Sequence, residues 1–163
     1  MDGKLRNMTS LYIVGEGKIL CLFREGSRVA NNKYIGSCGG HFESWELNDA
    51  RACILREMEE ELGLSESDVL GLQLRYITQR FKNGEIRQNY YFFARLCQDM
   101  ALSSNEGTLR WVPYEEIAEL DMPVSARHMI LHYLKTGQYD HQLYAGVTQK
   151  NGTVFVPMVE FEG

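Results

Sequence analysis

Apolar and polar positions alternate with a period near two over several stretches of this chain, and each stretch turns back on itself at a glycine. "LYIVGEGKILCLF" is two apolar, β-rich runs around Gly15-Glu16-Gly17-Lys18, which predicts a hairpin. In "LRYITQRFKNGEIRQNYYFFARL" the pair Asn83-Gly84 divides two runs rich in Tyr, Phe, Ile and Thr, and "YAGVTQKNGTVFVPMV" repeats the pattern around Asn151-Gly152. The period lengthens to that of a helix from Asp49 to Leu62, briefly after Pro113, and from Val124 to Lys135 behind Pro123, a residue suited to a first turn. Between Arg24 and Glu46 the pattern dissolves into a glycine-rich stretch that reads as an irregular loop, the kind of segment on which sites are built. Interleaved strands, hairpins and helices predict a mixed sheet in an α+β arrangement. Tyr90 to Phe93 alternate across a strand, so one pair should enter the core and one aromatic could stack on a base.

Composition narrows the picture. A chain of 163 residues, 44% hydrophobic and 24% charged, can bury one core and is short for two, so residues 1–163 are expected to form a single domain. A net charge of −5 argues against broad adhesion to a nucleic acid duplex or an anionic membrane, and an anionic small molecule would need local cations. The first fifteen residues hold no apolar signal core, and the longest apolar runs are of strand length, as in "ILCLF". Cys21, Cys38, Cys53 and Cys97 include no CxxC pair. A soluble cytoplasmic protein with reduced thiols is therefore expected.

The densest chemistry lies in "REMEEELGL". On a helix advancing about 100° per residue, Glu60 and Glu61 lie at roughly −60° and +40° from Glu57, so the three carboxylates share a face while Glu59 points away. Ile54, Leu55, Met58 and Leu62 form the neighbouring core stripe, small Ala50 and Cys53 sit under the carboxylates, and Gly63 can end the helix in the left-handed conformation. A run of glutamates is usually a solvated face. Here, however, the glycine loop of "GGHFESWE" stands just upstream, with Glu43 and Glu46, and carboxylates plus a loop carbonyl make the all-oxygen set that Mg²⁺ or Mn²⁺ prefers.

"GGHFESWELNDARACILREMEEELGL" resembles the Nudix box of the Nudix hydrolases. Arg56 to Leu64 matches the second half of that pattern in full, and Gly40, five residues and Glu46 match the first. Nine residues instead of seven separate Glu46 from Arg56, so either the loop is two residues longer or Asn48 stands in the glutamate's place as a helix N-cap; the longer loop is favoured. Arg24, on the second strand of the first hairpin, and Glu106, in "SSNEGTLRWVPYEEI", also occupy positions similar to those of family members. The likeness spans about residues 11–135, leaving 136–163 as a C-terminal extension.

The resemblance implies a Nudix fold, a mixed β-sheet sandwiched between helices, here with an extra C-terminal hairpin. It implies Mg²⁺ or Mn²⁺ held by Glu57, Glu60, Glu61, Glu106 and the Gly40 carbonyl, with Glu57 or Glu106 as general base. Arg24 would bind the substrate phosphates, and Arg56 would pair with Glu46 to lock the loop against the helix. The implied substrate is a nucleoside di- or triphosphate derivative, first of all a triphosphate of the 8-oxo-dGTP type. Two alternatives are an enzyme like isopentenyl diphosphate isomerase, suggested by Cys38 in "SCGGH", and a non-catalytic nucleotide sensor. The extra hairpin could cover a sheet edge or pair two subunits. His128 and His132 have zinc-ligand spacing, but Met129 stands where the protease motif needs glutamate, so a structural role is expected. "GEGK" lacks the rest of a phosphate loop and reads as a turn.

Overall fold

A computed structural model describes residues 2–26 and 32–163. Two long hairpins form its centre. β1 (Lys4–Gly15) turns through Glu16-Gly17 into β2 (Lys18–Arg24), and both turn residues have positive φ. β3 (Lys33–Ile35) pairs with β2, and β4 (Cys38–His41) pairs with β1. The stretch expected to be one irregular loop thus contains two short strands; its residues 27–31 lie outside those described. A 3-10 turn at Ser44–Glu46 leads into helix α1 (Ala50–Leu62). β5 (Val69–Lys82) and β6 (Glu85–Leu96) meet at Asn83-Gly84, both with positive φ, as the two-residue turn demands. β7 (Gly107–Pro113), a 3-10 turn at Tyr114–Glu119, α2 (Val124–Lys135), β8 (Leu143–Gln149) and β9 (Gly152–Met158) follow. The last hairpin turns at Lys150-Asn151, one residue before the expected Asn-Gly pair, and Gly152 already faces Gln149 in the ladder.

The strands run in the order β3-β2-β1-β6-β5-β8-β9, with β4 on β1 and β7 on β2. β1 and β6 are parallel, as are β5 and β8, and the remaining pairs are antiparallel. The sheet is mixed and lies between the two helices. Ile54, Met58 and Leu62 of α1 pack with Leu11, Ile13 and Phe92 on one face. Ala126, Met129, Ile130 and Tyr133 of α2 pack with Tyr12, Tyr76 and Phe93 on the other.

Tyr91 and Phe93 are the pair that enters one core, as expected, and because both faces are covered Phe92 enters the other core with Tyr90 half-buried against it. Pro123 occupies the N-cap position of α2, a residue earlier than the first turn. His132 bonds the Tyr76 hydroxyl at 2.8 Å and His128 the Thr153 hydroxyl at 2.8 Å, the structural roles expected of them. The C-terminal hairpin covers the β5 edge. Among the described residues no helix is long and apolar enough to cross a membrane.

Candidate active site

α1 begins where Asp49 caps it, its carboxylate accepting from the Ala52 amide at 3.0 Å. Asn48 therefore does not serve as the cap. Glu46, further back, is drawn inward. Glu46 has no exposed surface, and it survives there because the Arg56 guanidinium meets it twice, Nε to Oε1 at 2.5 Å and Nη2 to Oε2 at 3.0 Å. Those bonds hold the Glu46 carboxyl near pKa 2 against the opposing effect of burial. The longer loop thus still delivers Glu46 to Arg56. The same guanidinium donates to the His41 carbonyl at 3.1 Å, to Glu57 at 2.9 Å and to Glu60 at 3.0 Å. One arginine ties the loop, β4 and the acidic face of α1 together. At the far end Gly63, with φ of 67°, returns its amide to the Glu59 and Met58 carbonyls.

Glu57, Glu60 and Glu61 line a cleft of about 370 Å³, together with Gly40, Arg24 and Glu106. Glu59 is exposed and takes no part in it. Glu61 accepts from the Gly39 amide at 3.3 Å. Burial raises its pKa to about 8; the Gly39 bond opposes the shift, while Glu57 and Glu106 add to it. Gly40 lets the Glu57 carboxylate approach closely: a Cβ there would stand 2.2 Å from Glu57 Oε1, so the carboxylate would have to move. Arg24 reaches across from β2 to Glu106 at 3.3 Å, joining residues that are distant in sequence.

The donor set is all oxygen and suits a hard divalent cation, and the glycine backbone leaves space for Glu57 beside it. Among the described residues, however, no three carboxylates converge as metal ligands would, and Arg56 engages Glu57 and Glu60 instead. A cavity of about 120 Å³ adjoins the cleft, and Met8, Arg24 and Gly39 line both. Its further wall is Tyr12, Arg80, Asn89, Tyr91 and Ser125; of these only Tyr91 was singled out in the sequence, because four separate elements supply the wall. His41 also lines the cleft; it lay in the quoted motif without an assigned role. Another depression of about 360 Å³, beside Val14, Arg95 and Trp111, holds no comparable carboxylate cluster. Cys38 is buried, and burial together with Glu61 and Glu57 keeps its thiol well above the usual pKa. That does not suit a proton-handling thiolate.

The model of the NUDIX domain family matches residues 4–133. Among solved structures, the chain is similar to a MutT protein from Bacillus halodurans, at 20% identity and TM-score 0.66, over 92% of this chain and 97% of that one. It is similar to a NUDIX hydrolase from Nitrosomonas europaea at 15% identity and TM-score 0.69, over 90% and 80% of the respective chains. A third likeness is to the Ap4A hydrolase of C. elegans, at 13% identity and TM-score 0.65, over 83% and 99%.

Proposed function

This chain belongs to the NUDIX family, whose hydrolases act on pyrophosphate bonds of nucleoside diphosphate derivatives, and from that premise we propose a substrate and a division of labour among its residues. The reaction is hydrolysis of a nucleoside triphosphate of the 8-oxo-dGTP type to the monophosphate and pyrophosphate, dependent on Mg²⁺ or Mn²⁺. The observation that carries this reading is the meeting of Glu57, Glu60, Glu61, Gly40, Glu106 and Arg24 in one cleft that opens onto a cavity walled by aromatic and polar side chains.

Members of the family generally use divalent ions. Here Glu57, Glu60, Glu61, Glu106 and the Gly40 carbonyl would hold one. Bound there, it would neutralise phosphate charge and lower the pKa of water. Arg24 exchanges its ion pair with Glu106 for a phosphate oxygen, and the carboxylate it releases, or Glu57, accepts the proton of the attacking water. Arg56 touches no substrate. It holds Glu46 and the His41 carbonyl so that the β4 backbone stays against α1, a positioning role.

The test is a screen of nucleoside triphosphates, nucleotide sugars and dinucleoside polyphosphates with Mg²⁺, following released phosphate products. Glu60→Gln should lower turnover roughly a thousandfold, since losing a ligand removes both charge neutralisation and water activation. Nucleotide binding without any phosphate product would favour the sensor reading. Interconversion of isopentenyl and dimethylallyl diphosphate dependent on Cys38 would favour the isomerase.

A further inference from the structure

The cavity beside the cleft carries positive charge that the proposed reaction leaves unused. β1, β6 and β5 lie side by side, and their register sets Arg6 opposite Arg87 and Arg87 opposite Arg80. Directly opposed residues share a face of the sheet. By strand alternation it is the face of Tyr12, Tyr76 and Tyr91, which α2 covers further along. Three arginines therefore form a row across three adjacent strands, and Arg80 at its end lines the cavity with Asn89 and Tyr91.

This arrangement works against the stability of the fold. Like charges directly opposed across strands are destabilising, and exclusion of water increases the effect. The Nε atoms of both Arg80 and Arg87 are buried with no hydrogen-bond partner among the described residues. Arg87 meets Glu85 at 3.3 Å, and Arg6 donates to His41 Nε2 at 2.8 Å. No carboxylate pairs with Arg80 among the described residues. Burial, then the charges of Arg87 and Arg6, hold Arg80 below its usual pKa, with only Tyr91 opposing. Arg80 at the wall of the cavity, with Arg87 next to it in the row and neither Nε partnered among the described residues, matches a multiply charged oxyanion, to which the terminal guanidinium N–H groups can donate. The cavity and the carboxylate cleft share Met8, Arg24 and Gly39, so one molecule can reach both.

We propose that Arg80 and Arg87, with Arg6 beside them, form a phosphate subsite, and that the preferred substrate carries a second phosphate on its nucleoside portion, away from the pyrophosphate that is cleaved. The substrate assignment rests on the hydrolase reading of the cleft; the subsite does not. A simple triphosphate satisfies the cleft alone. Its counterpart phosphorylated on the ribose satisfies cleft and row together.

Two measurements test the proposal separately from the hydrolase reading. In Mg²⁺-free buffer, inorganic phosphate should raise the melting temperature of the full chain by several degrees over chloride of equal ionic strength. Arg80→Gln/Arg87→Gln should lose that rise while melting in chloride no lower than the parent, because it removes opposed charges. No phosphate-specific rise, or one that persists in the double variant, overturns the subsite. With Mg²⁺ present, adenosine and guanosine triphosphates bearing a 2′- or 3′-phosphate should exceed the plain triphosphates at least tenfold in kcat/KM. The double variant should lose that preference through KM. Equal kcat/KM for every pair overturns the substrate assignment and makes the row a site for the free anion. No hydrolysis of any compound with the phosphate rise intact sinks the hydrolase reading and upholds the subsite, whereas hydrolysis without the rise does the reverse.

Discussion

Glu46 keeps its charge in a position with no exposed surface, and the double hydrogen bond from Arg56 is what permits it. Its pKa is depressed from 4.5 in the unfolded chain to about 2 in the fold. Above pH 4.5 both states are ionised and the full stabilisation is present; as pH falls toward 2 the unfolded chain takes up the proton first, and the stabilisation is lost. The shift corresponds to about 3 kcal/mol. Glu46→Gln should therefore lower unfolding free energy by about 3 kcal/mol at neutral pH, and urea titrations should show the difference from the parent vanishing near the acid end of that window. A variant as stable as the parent at neutral pH would show that the pair contributes nothing. Three residues further on, Asp49→Ala should cost about 1 kcal/mol as a lost cap, whereas Asn48→Ala should be silent in the same titration. The opposite ranking would restore Asn48 as the cap.

Element by element, α1 shows how one helix can serve packing and chemistry together. Its stripe of Ile54, Met58 and Leu62 is buried in the core, and Glu57, Glu60 and Glu61 on the adjacent face turn to the cleft. The carboxylates repel one another, so Mg²⁺ or Mn²⁺ well above its dissociation constant should raise the melting temperature by several degrees. A Glu57→Gln/Glu60→Gln/Glu61→Gln variant should lose that rise, and an undiminished shift would place the metal elsewhere. The C-terminal hairpin is equally part of the body of the protein. Tyr76 on β5 is fully buried, stacked on Tyr144 at 5.4 Å with the Phe155 ring edge-on at 5.6 Å. Arg75 beside it is buried on Asp140 at 3.0 Å and the Gly137 carbonyl at 2.7 Å. Removing residues 143–163 would expose Tyr76 and leave the β5 edge unpaired, and the shortened chain should melt at least ten degrees lower or aggregate. Unchanged melting would mark the hairpin as an appendage.

At the scale of the whole molecule, local patterns and long-range pairing contributed different things. The hairpins at Gly17 and Gly84, the faces of α1, its glycine terminus and the grouping of its three carboxylates were all legible, because turn chemistry and the 3.6-residue repeat act within a few neighbouring residues. The contiguous motif of residues 40–64 lies within the family match over residues 4–133. Other features depend on which strand lies beside which. The burial of the sheet on both faces followed from α2 and α1 settling on opposite sides, which no alternation within β6 could announce. Arg24 meets Glu106 only because β7 pairs with β2, and the arginine row exists only because parallel β1 and antiparallel β5 flank β6 in one register. A strand's sequence specifies its two faces, but its neighbours and their register emerge from the packing of the entire chain, and a slip of one residue would turn each arginine to the opposite face.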